Sequence, residues 1–235
     1  MKKLTVIICV MLSLSAGAFA SGKYHGDIQF HMGGTAASSY VRTYDSYNAI
    51  TEEKIKTKQI CFDIATWHMW DLGECCSLGF VVDFYGGFGN LDNWSAASLN
   101  RAFRNDVEDN GPIFGGIFIG PAFGVQFGKV AKLSLGIGFV SDLSVLYRND
   151  YLSNTSGDVT STLICSAGVG ADVQLKLFPT IFFSPIIGYR CSVGIGGKVS
   201  AYEREHGRGS YSSGGEADAI VPMNGTLYVG FSFNW

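Results

Sequence analysis

The feature that most constrains this chain is a strict alternation of side chains over its last sixteen positions. Between positions 220 and 235 the odd positions are apolar, whereas the even positions are mainly small or polar. Successive side chains of a β-strand point to opposite faces, so this stretch predicts a strand with one apolar and one polar face. The apolar positions are Val221, Met223, Leu227, Val229, Phe231, Phe233 and Trp235, and the opposite ones are Asn224, Thr226, Gly230, Ser232 and Asn234.

The same alternation recurs along the chain and predicts eight strands. In the second of them the pattern changes phase, which predicts a bulge near Ala65 or Thr66. Its last residues, Trp67, His68 and Trp70, are expected in an aromatic girdle at a membrane interface. The predicted strands are 23–32, 59–70, 78–88, 113–127, 132–147, 161–178, 181–195 and 220–235.

The predicted connections are alternately long and short, with long polar loops at about 33–58, 89–111, 148–160 and 196–218. A short helix is expected within the second of these loops, at 95–107. An even number of strands with alternating loop lengths is typical of bacterial transmembrane barrels, whose long loops face outward and whose termini are periplasmic. The predicted fold is all-β, an eight-stranded antiparallel up-and-down transmembrane β-barrel.

The beginning of the chain has the pattern of a secretory signal peptide. Lys2 and Lys3 precede an apolar run, and Ala18-Phe19-Ala20 forms a small-x-small cleavage site. Residues 1–20 are therefore expected to be removed, leaving 21–235 as the barrel. The hydrophobic fraction is 47% with 31 glycines, yet no later stretch has the ~20 apolar residues of a membrane helix. Only helices and closed barrels satisfy the backbone in lipid, which favours a barrel over the soluble alternative, a secreted sandwich.

Charge and cysteine content exclude some classes of protein. Without Lys2 and Lys3, 15 basic residues stand against 20 acidic ones, a formal charge of −5 that argues against a nucleic-acid partner. The five cysteines outside the leader are an odd number and lack zinc-site spacing, so neither a fully paired framework nor a metal site is predicted. Two of them are expected on the lipid face as apolar fillers or as a cross-strand disulfide, and two in a periplasmic turn; the five are Cys61, Cys75, Cys76, Cys165 and Cys191.

The last strand resembles the closing strand of bacterial outer-membrane β-barrels, with a glycine, aromatics at alternate positions and a final aromatic. The family pattern ends more often in Phe than in Trp. This resemblance implies an outer-membrane location with lipid as a partner, and a strand that the barrel-assembly machinery recognises. The whole chain resembles the membrane domain of OmpA, OmpX and OmpW, and its leader and cysteine-bearing strands resemble small spirochaete outer-membrane barrels of unassigned function. The matching residues are Tyr228, Gly230, Phe231, Phe233 and Trp235.

The inward side chains decide whether such a barrel is filled or open, since eight strands enclose little more than side chains. Arg190 must pair if it points inward, and Asp172 on the neighbouring strand is its expected partner, backed by Asp83 or Asp142. The charged cluster either fills the lumen as a salt-bridge network or lines a narrow polar path. Its predicted members are Asp27, His31, Asp83, Asp142, Asp172, Lys176 and Arg190.

Two functions are compatible with these patterns. The first is a structural barrel with a filled lumen, whose aromatic outer loops meet a host or environmental ligand. The second is a narrow channel for small, hydrophobic solutes, as resemblance to OmpW implies, although charges on the inward face count against it. His68 has no nucleophile or carboxylate beside it in sequence, and His206 lies in a charged loop. No enzymatic activity, cofactor or metal is therefore predicted.

Overall fold

The protein is a closed antiparallel barrel of eight strands, in which each strand pairs with its sequence neighbours and β1 also pairs with β8. The computed structural model describes residues 23–44, 50–91, 113–150, 158–204 and 217–235. The predicted fold class is confirmed. The strands are β1 Tyr24–Tyr44, β2 Ile50–Asp71, β3 Cys76–Leu91, β4 Ile113–Phe127, β5 Ala131–Asp150, β6 Asp158–Leu177, β7 Phe183–Arg204 and β8 Ala217–Asn234.

The outer surface of the barrel is apolar and its interior is mixed, the reverse of a soluble protein. Phe84 and Ile137 are 60% and 55% exposed, whereas their near neighbours Asp83 and Val140 are 0% and 2% exposed. An apolar exterior of this kind is stable only against lipid, so these strands cross a membrane. In the described parts of the chain, no helix has both the length and the hydropathy to cross one.

The second strand corrects the predicted bulge. β2 keeps an unbroken register with β1 from Trp70, opposite Tyr24, to Ile50, opposite Tyr44. Trp67 is 2% exposed and points inward, so its assignment to the girdle was wrong. The sequence pattern changes phase here because Trp67, a large apolar residue, faces the lumen. The rule that inward residues are small or polar does not anticipate this. The register shifts that do occur lie at Ser38/Tyr40 and Ala167/Gly168.

The strands also extend farther than predicted at one end of the barrel. β1 and β2 are 21 and 22 residues long, about twice the ~9–11 residues that a tilted strand needs to cross a bilayer. The loops predicted at 33–58, 148–160 and 196–218 were therefore too long. The segments that connect the strands at this end are 45–49, 92–112, 151–157 and 205–216. The helix predicted at 95–107 and the signal peptide at 1–20 lie outside the described residues.

The opposite end of the barrel is closed by short turns after β2, β4 and β6. Gly128 has a φ of 58° in the turn between β4 and β5, and Gly73 has a φ of 130° between β2 and β3. Both angles lie where a side chain is disfavoured, which explains glycine at these two turn positions. The longest connections, 92–112 and 205–216, lie at the other end, but segment 45–49 is no longer than the turn at 178–182, so the strict alternation of long and short connections predicted from the sequence is not kept.

The lipid-facing cysteines do not form the cross-strand disulfide considered from the sequence. Cys165 of β6 pairs with Lys198 of β7, whereas Cys191 lies seven positions away from that partner and opposite Ala171. At ~3.3 Å per residue the two cysteines are about 23 Å apart, far beyond the ~7 Å limit for a disulfide. The five cysteines in the described residues are free.

Candidate functional site in the barrel lumen

The interior of the barrel has an apolar wall and a polar wall that face each other. The apolar wall belongs to β2–β5 and consists of Cys61, Ala65, Trp67, Met69, Val81, Tyr85, Phe118, Ala122 and Val140. The polar wall belongs to β1 and β6–β8 and consists of Asp27, Gln29, His31, Asp172, Gln174, Lys176, Ser184, Arg190, Thr226, Tyr228 and Ser232. Buried polar side chains interrupt the apolar wall: the carboxylates of Asp63 and Asp83 at its centre, and Gln59, Ser77, Lys132 and Ser134 elsewhere on β2, β3 and β5.

Arg190 connects the two walls. Its Nη1 donates to Asp83 Oδ2, and its Nη2 lies 3.2 Å from Asp63 Oδ2, an ion-pair contact rather than an aligned hydrogen bond. Its guanidinium carbon is 3.9 Å from the centre of the Tyr85 ring, which adds a cation–π contact. Because Arg190 lies on β7 and these partners lie on β2 and β3, its side chain crosses the lumen.

The predicted ion pair between Arg190 and Asp172 is replaced by another arrangement. The two residues are direct neighbours in the β6–β7 ladder, but Asp172 Oδ1 accepts a hydrogen bond of 2.6 Å from the Tyr228 hydroxyl. The direct partner of the guanidinium is Asp83, which the sequence offered only as a second choice. A carboxylate on the adjacent strand lies beside the stem of Arg190, whereas the guanidinium at the end of the long side chain reaches the opposite wall.

A second set of contacts runs along β1. Lys176 donates to Asp27 Oδ2 and, at 3.1 Å, to Asn234 Oδ1. Gln29 donates its amide to Asp27 Oδ1 at 2.9 Å, and Gln29 Oε1 lies 2.9 Å from His31 Nε2. A chain of polar groups thus leads from the short-turn end of the barrel to the level of Arg190.

His31 is held between this chain and the centre of the lumen. Its ring stacks on Tyr228 with the ring centres 4.3 Å apart. Its Nδ1 lies 3.8 Å from Asp63 Oδ2. One nitrogen of His31 and one oxygen each of Asp63 and Asp83 lie within 4.8 Å of one another. Two carboxylates and an imidazole therefore converge on one point, although no metal site was predicted from the sequence.

A third contact lies toward the long-strand end of the lumen. Asp142 accepts hydrogen bonds from the Tyr85 hydroxyl and, at 3.0 Å, from Asn224 Nδ2. These three residues lie on β5, β3 and β8, so the contact again spans the interior. Charged acceptors strengthen such bonds, and the low dielectric around buried groups strengthens them further.

All seven side chains predicted for the lumen cluster lie inside the barrel: Asp27, His31, Asp83, Asp142, Asp172, Lys176 and Arg190. Asp63 was missed, although it lies between the outward-facing Phe62 and Ile64 and the same parity would have found it. A pair at the short-turn end was also missed, in which Lys132 Nζ lies 2.7 Å from His25 Nε2.

Comparison with solved structures gives the architecture its context. No protein-family model matches the chain, and no curated protein matches its sequence. The chain is similar to the outer membrane protease OmpT from Escherichia coli, with a TM-score of 0.51 at 10% identity over 92% of this chain and 99% of that one. It is also similar to a major outer membrane protein from Thermus thermophilus, with a TM-score of 0.50 at 9% identity over 87% and 99% of the two chains.

This chain has the fold of a small outer-membrane β-barrel. The likeness concerns the fold, so the protease activity in the name of OmpT stays with that protein. A weaker likeness, to Ail, the attachment invasion locus protein of Yersinia pestis, has a TM-score of 0.43 at 10% identity over 89% and 99% of the two chains.

The residues that resemble the closing strand of outer-membrane barrels divide between the two faces of β8. Phe231 and Trp235 are 48% and 56% exposed on the lipid face, and Phe231 and Phe233 both pack against Phe183. Tyr228 is 1% exposed and belongs to the lumen, where it contacts His31 and Asp172. Gly230 lies beside His31, whose ring would meet an added Cβ at 2.7 Å.

His68 lies on the outside of the barrel among aromatic rings. Its Nδ1 is 2.8 Å from the Tyr24 hydroxyl, and its ring stacks on Phe80 at 4.6 Å. With Trp70, which packs against Tyr24 at 5.1 Å, it forms an aromatic patch at the short-turn end of the apolar band. This position is that of an interfacial girdle, as predicted for His68 and Trp70.

Gly188 gives a test of how tightly the lumen is packed. A Cβ at this inward position would lie 2.3–2.7 Å from ring atoms of Tyr228, whose hydroxyl is bound to Asp172. The change Gly188→Val is expected to lower the free energy of unfolding by about 1–3 kcal/mol, the usual cost of overpacking. Gly34→Val is the matched control, because nothing lies within 4 Å of its added Cβ. Equal urea midpoints for the two variants would contradict a closely packed lumen.

Proposed function

We propose that this protein is a non-catalytic outer-membrane barrel with a filled lumen, which anchors a surface for contact with a host or environmental ligand. The observation that carries the proposal is that ion pairs between distant strands occupy the lumen. Arg190 reaches from β7 in the polar wall to Asp83 on β3 in the opposite wall, and within the polar wall Lys176 reaches from β6 to Asp27 on β1. Bridges of this kind occupy the space that a solute would need.

The width of the barrel supports the same function. An eight-stranded barrel has room for side chains or for one small ligand. In this lumen Trp67 and Phe118 are 2% and 0% exposed and fill the apolar wall. Because a rigid ring cannot leave a packed wall without losing its contacts, a permanent path past both the rings and the ion pairs is not expected.

The long strands support a role at the cell surface. Residues of β1 and β2 beyond the apolar band remain paired as far as Tyr44 and Ile50. They would carry the connecting segments away from the lipid headgroups on one side of the membrane. We infer that this side faces outward, that both termini are periplasmic, and that the ligand contacts lie on these segments. The outer-membrane lipid and the barrel-assembly machinery would be the other partners.

Conductance of the refolded protein in a planar bilayer tests the filled lumen. The wild-type barrel is expected to show no steady current. The double variant Trp67→Ala with Phe118→Gly removes the two large rings and is expected to conduct, which shows that the assay detects an open lumen. A steady wild-type current equal to that of the opened variant would support the channel and contradict this proposal.

Epitope insertion tests the orientation. Antibody is expected to bind intact cells when the tag lies in a connecting segment at the long-strand end, and to require permeabilised cells when it lies in a short turn. Labelling of a short-turn tag on intact cells would reverse the topology. The outer positions are Ser46, Asn100, Ser153 and Ser212, and the inner ones are Glu74, Lys129 and Thr180.

A further inference from the structure

The centre of the lumen has more carboxylates than cations. Among the residues whose side chains are described, Asp63 and Asp83 contact Arg190, and Asp172 and Asp142 lie nearby with tyrosine donors. Lys176 is already engaged by Asp27. One guanidinium among three buried carboxylates and the partly buried Asp142 leaves negative charge that burial makes costly unless protons or a cation balance it.

The hydrogen bonds of β1 determine which nitrogen of His31 carries a proton. Asp27 is bound to Lys176 and accepts from the Gln29 amide nitrogen, so Gln29 must present its oxygen to His31. His31 Nε2 therefore donates to Gln29 Oε1. In the neutral ring the lone pair is then on Nδ1, which faces the carboxylates.

That lone pair has no hydrogen-bond partner in the described structure. His31 Nδ1 is buried and unpaired, and so is Asp83 Oδ1. The distance of 3.8 Å between His31 Nδ1 and Asp63 Oδ2 is too long for a hydrogen bond, which needs about 2.7–3.2 Å. A lone pair pointing at carboxylate oxygens is repulsive, so a positively charged species between these atoms would remove both the repulsion and the unpaired atoms.

We propose that the lumen binds one divalent transition-metal ion of the Zn²⁺ class through His31 Nδ1, Asp63 Oδ2 and Asp83 Oδ1. One imidazole and two carboxylates form a mixed nitrogen and oxygen ligand set that suits such ions. The three ligands come from β1, β2 and β3, so the ion would join three adjacent strands. This dispersal over three strands explains why no spacing motif marks the site in the sequence.

Neighbouring side chains hold each of the three ligands through a hydrogen bond or an ion pair, as residues around a bound metal ion commonly do. Gln29 orients His31 by accepting from the nitrogen opposite the ligating one, as is usual for metal-bound histidine. Cys61 donates its thiol to Asp63 Oδ1 at 2.7 Å, which leaves Asp63 Oδ2 directed at His31 and Arg190. Arg190 holds the other oxygen of Asp83, so Oδ1 remains available.

Elemental analysis of the refolded full chain tests the proposal. The chain, without a histidine tag, is refolded with Zn²⁺ and dialysed before the bound metal is measured. The wild type is expected to retain about one ion per chain, and His31→Gln to bind at least tenfold more weakly, the minimum loss for weakening even an outer-shell contact. His68→Gln is the matched control on the outer surface and should retain the ion. Wild-type protein that retains no more Zn²⁺ than His31→Gln would overturn the proposal.

Two further measurements keep the test valid if His31→Gln fails to refold. Wild-type protein refolded with Co²⁺ should show visible absorption of a nitrogen- and oxygen-ligated ion, and a spectrum equal to that of aqueous Co²⁺ would contradict the site. Asp83→Asn should lose the ion, whereas Asp142→Asn, which changes a lumen carboxylate outside the ligand set, should keep it. Equal loss in both aspartate variants would show general charge attraction rather than a built site.

Discussion

Replacing Arg190 by Met is expected to lower the free energy of unfolding by about 3–5 kcal/mol, the usual cost of leaving a buried partner charge alone. The variant removes the donor to Asp83 and the contact with Asp63, and both carboxylates stay buried at 0% and 3% exposure. Met has nearly the same length as the aliphatic part of arginine, so the change is mainly one of charge. Urea unfolding of the refolded barrel measures the effect.

A double-mutant comparison identifies which carboxylate Arg190 pairs with. Adding Asp83→Leu to Arg190→Met should recover more of the lost stability than adding Asp172→Leu, because Asp172 keeps its hydrogen bond from Tyr228. Lys129→Met, in an exposed turn, controls for the loss of a positive charge and should be near neutral. If only Asp172→Leu recovers stability, Arg190 pairs with Asp172, as predicted from the sequence. If no variant changes the stability, the lumen is hydrated.

The fold was predictable because one physical rule acts on nearly every residue of the barrel. A strand between lipid and lumen must alternate apolar and polar side chains, as Phe84 on the lipid face and Asp83 on the lumen face do. The number of strands and the face of each residue follow from it. The rule weakened where the inward side chains are apolar, as at Trp67 and Met69, because packing inside the lumen replaces polarity there.

The ends of the strands were less predictable than their membrane parts. Beyond the lipid, neither face needs to be apolar, so residues 50–58 of β2 have charged residues at both odd and even positions and resemble a loop. Their strand structure depends on the ladder with β1, from Ile50 opposite Tyr44 to Lys58 opposite Ala36. Pairing across a hairpin is a non-local property that a composition pattern does not contain.

The alternation of inward and outward positions predicted which residues line the lumen, but not which of them contact each other. Parity assigned Arg190, Asp83 and Asp172 to the interior, since an arginine facing the middle of the membrane costs about 2–4 kcal/mol. Choosing between Asp83 and Asp172 required the reach of the guanidinium across the closed barrel. The convergence of His31 with Asp63 depends instead on the β1–β2 register, in which their Cα atoms are direct cross-strand partners.

Replacing Phe233 by Asp is expected to lower the amount of barrel assembled in the outer membrane several-fold. Phe233 packs on Phe30 at 5.9 Å, Phe182 at 5.7 Å and Phe183 at 5.5 Å, so it joins β8 to β1 and to the start of β7. Aromatic pairs contribute roughly 0.5–1.5 kcal/mol each. The pairing of β1 with β8 is what closes the barrel, so weakening this seam is expected to hinder assembly.

The position of Phe233 on the closing seam separates this effect from the simple loss of an aromatic. Next to it, the backbone of Trp235 exchanges hydrogen bonds of 3.0 and 3.2 Å with Gly26, completing the ladder between β8 and β1. Phe127→Asp is the matched control, since Phe127 is 56% exposed at the short-turn end of β4, away from the seam. Membrane fractionation should show a smaller fall for Phe127→Asp than for Phe233→Asp. Equal amounts of the two variants would mean that β8 has no special part in closing the barrel, and that its aromatics serve only as contacts with lipid.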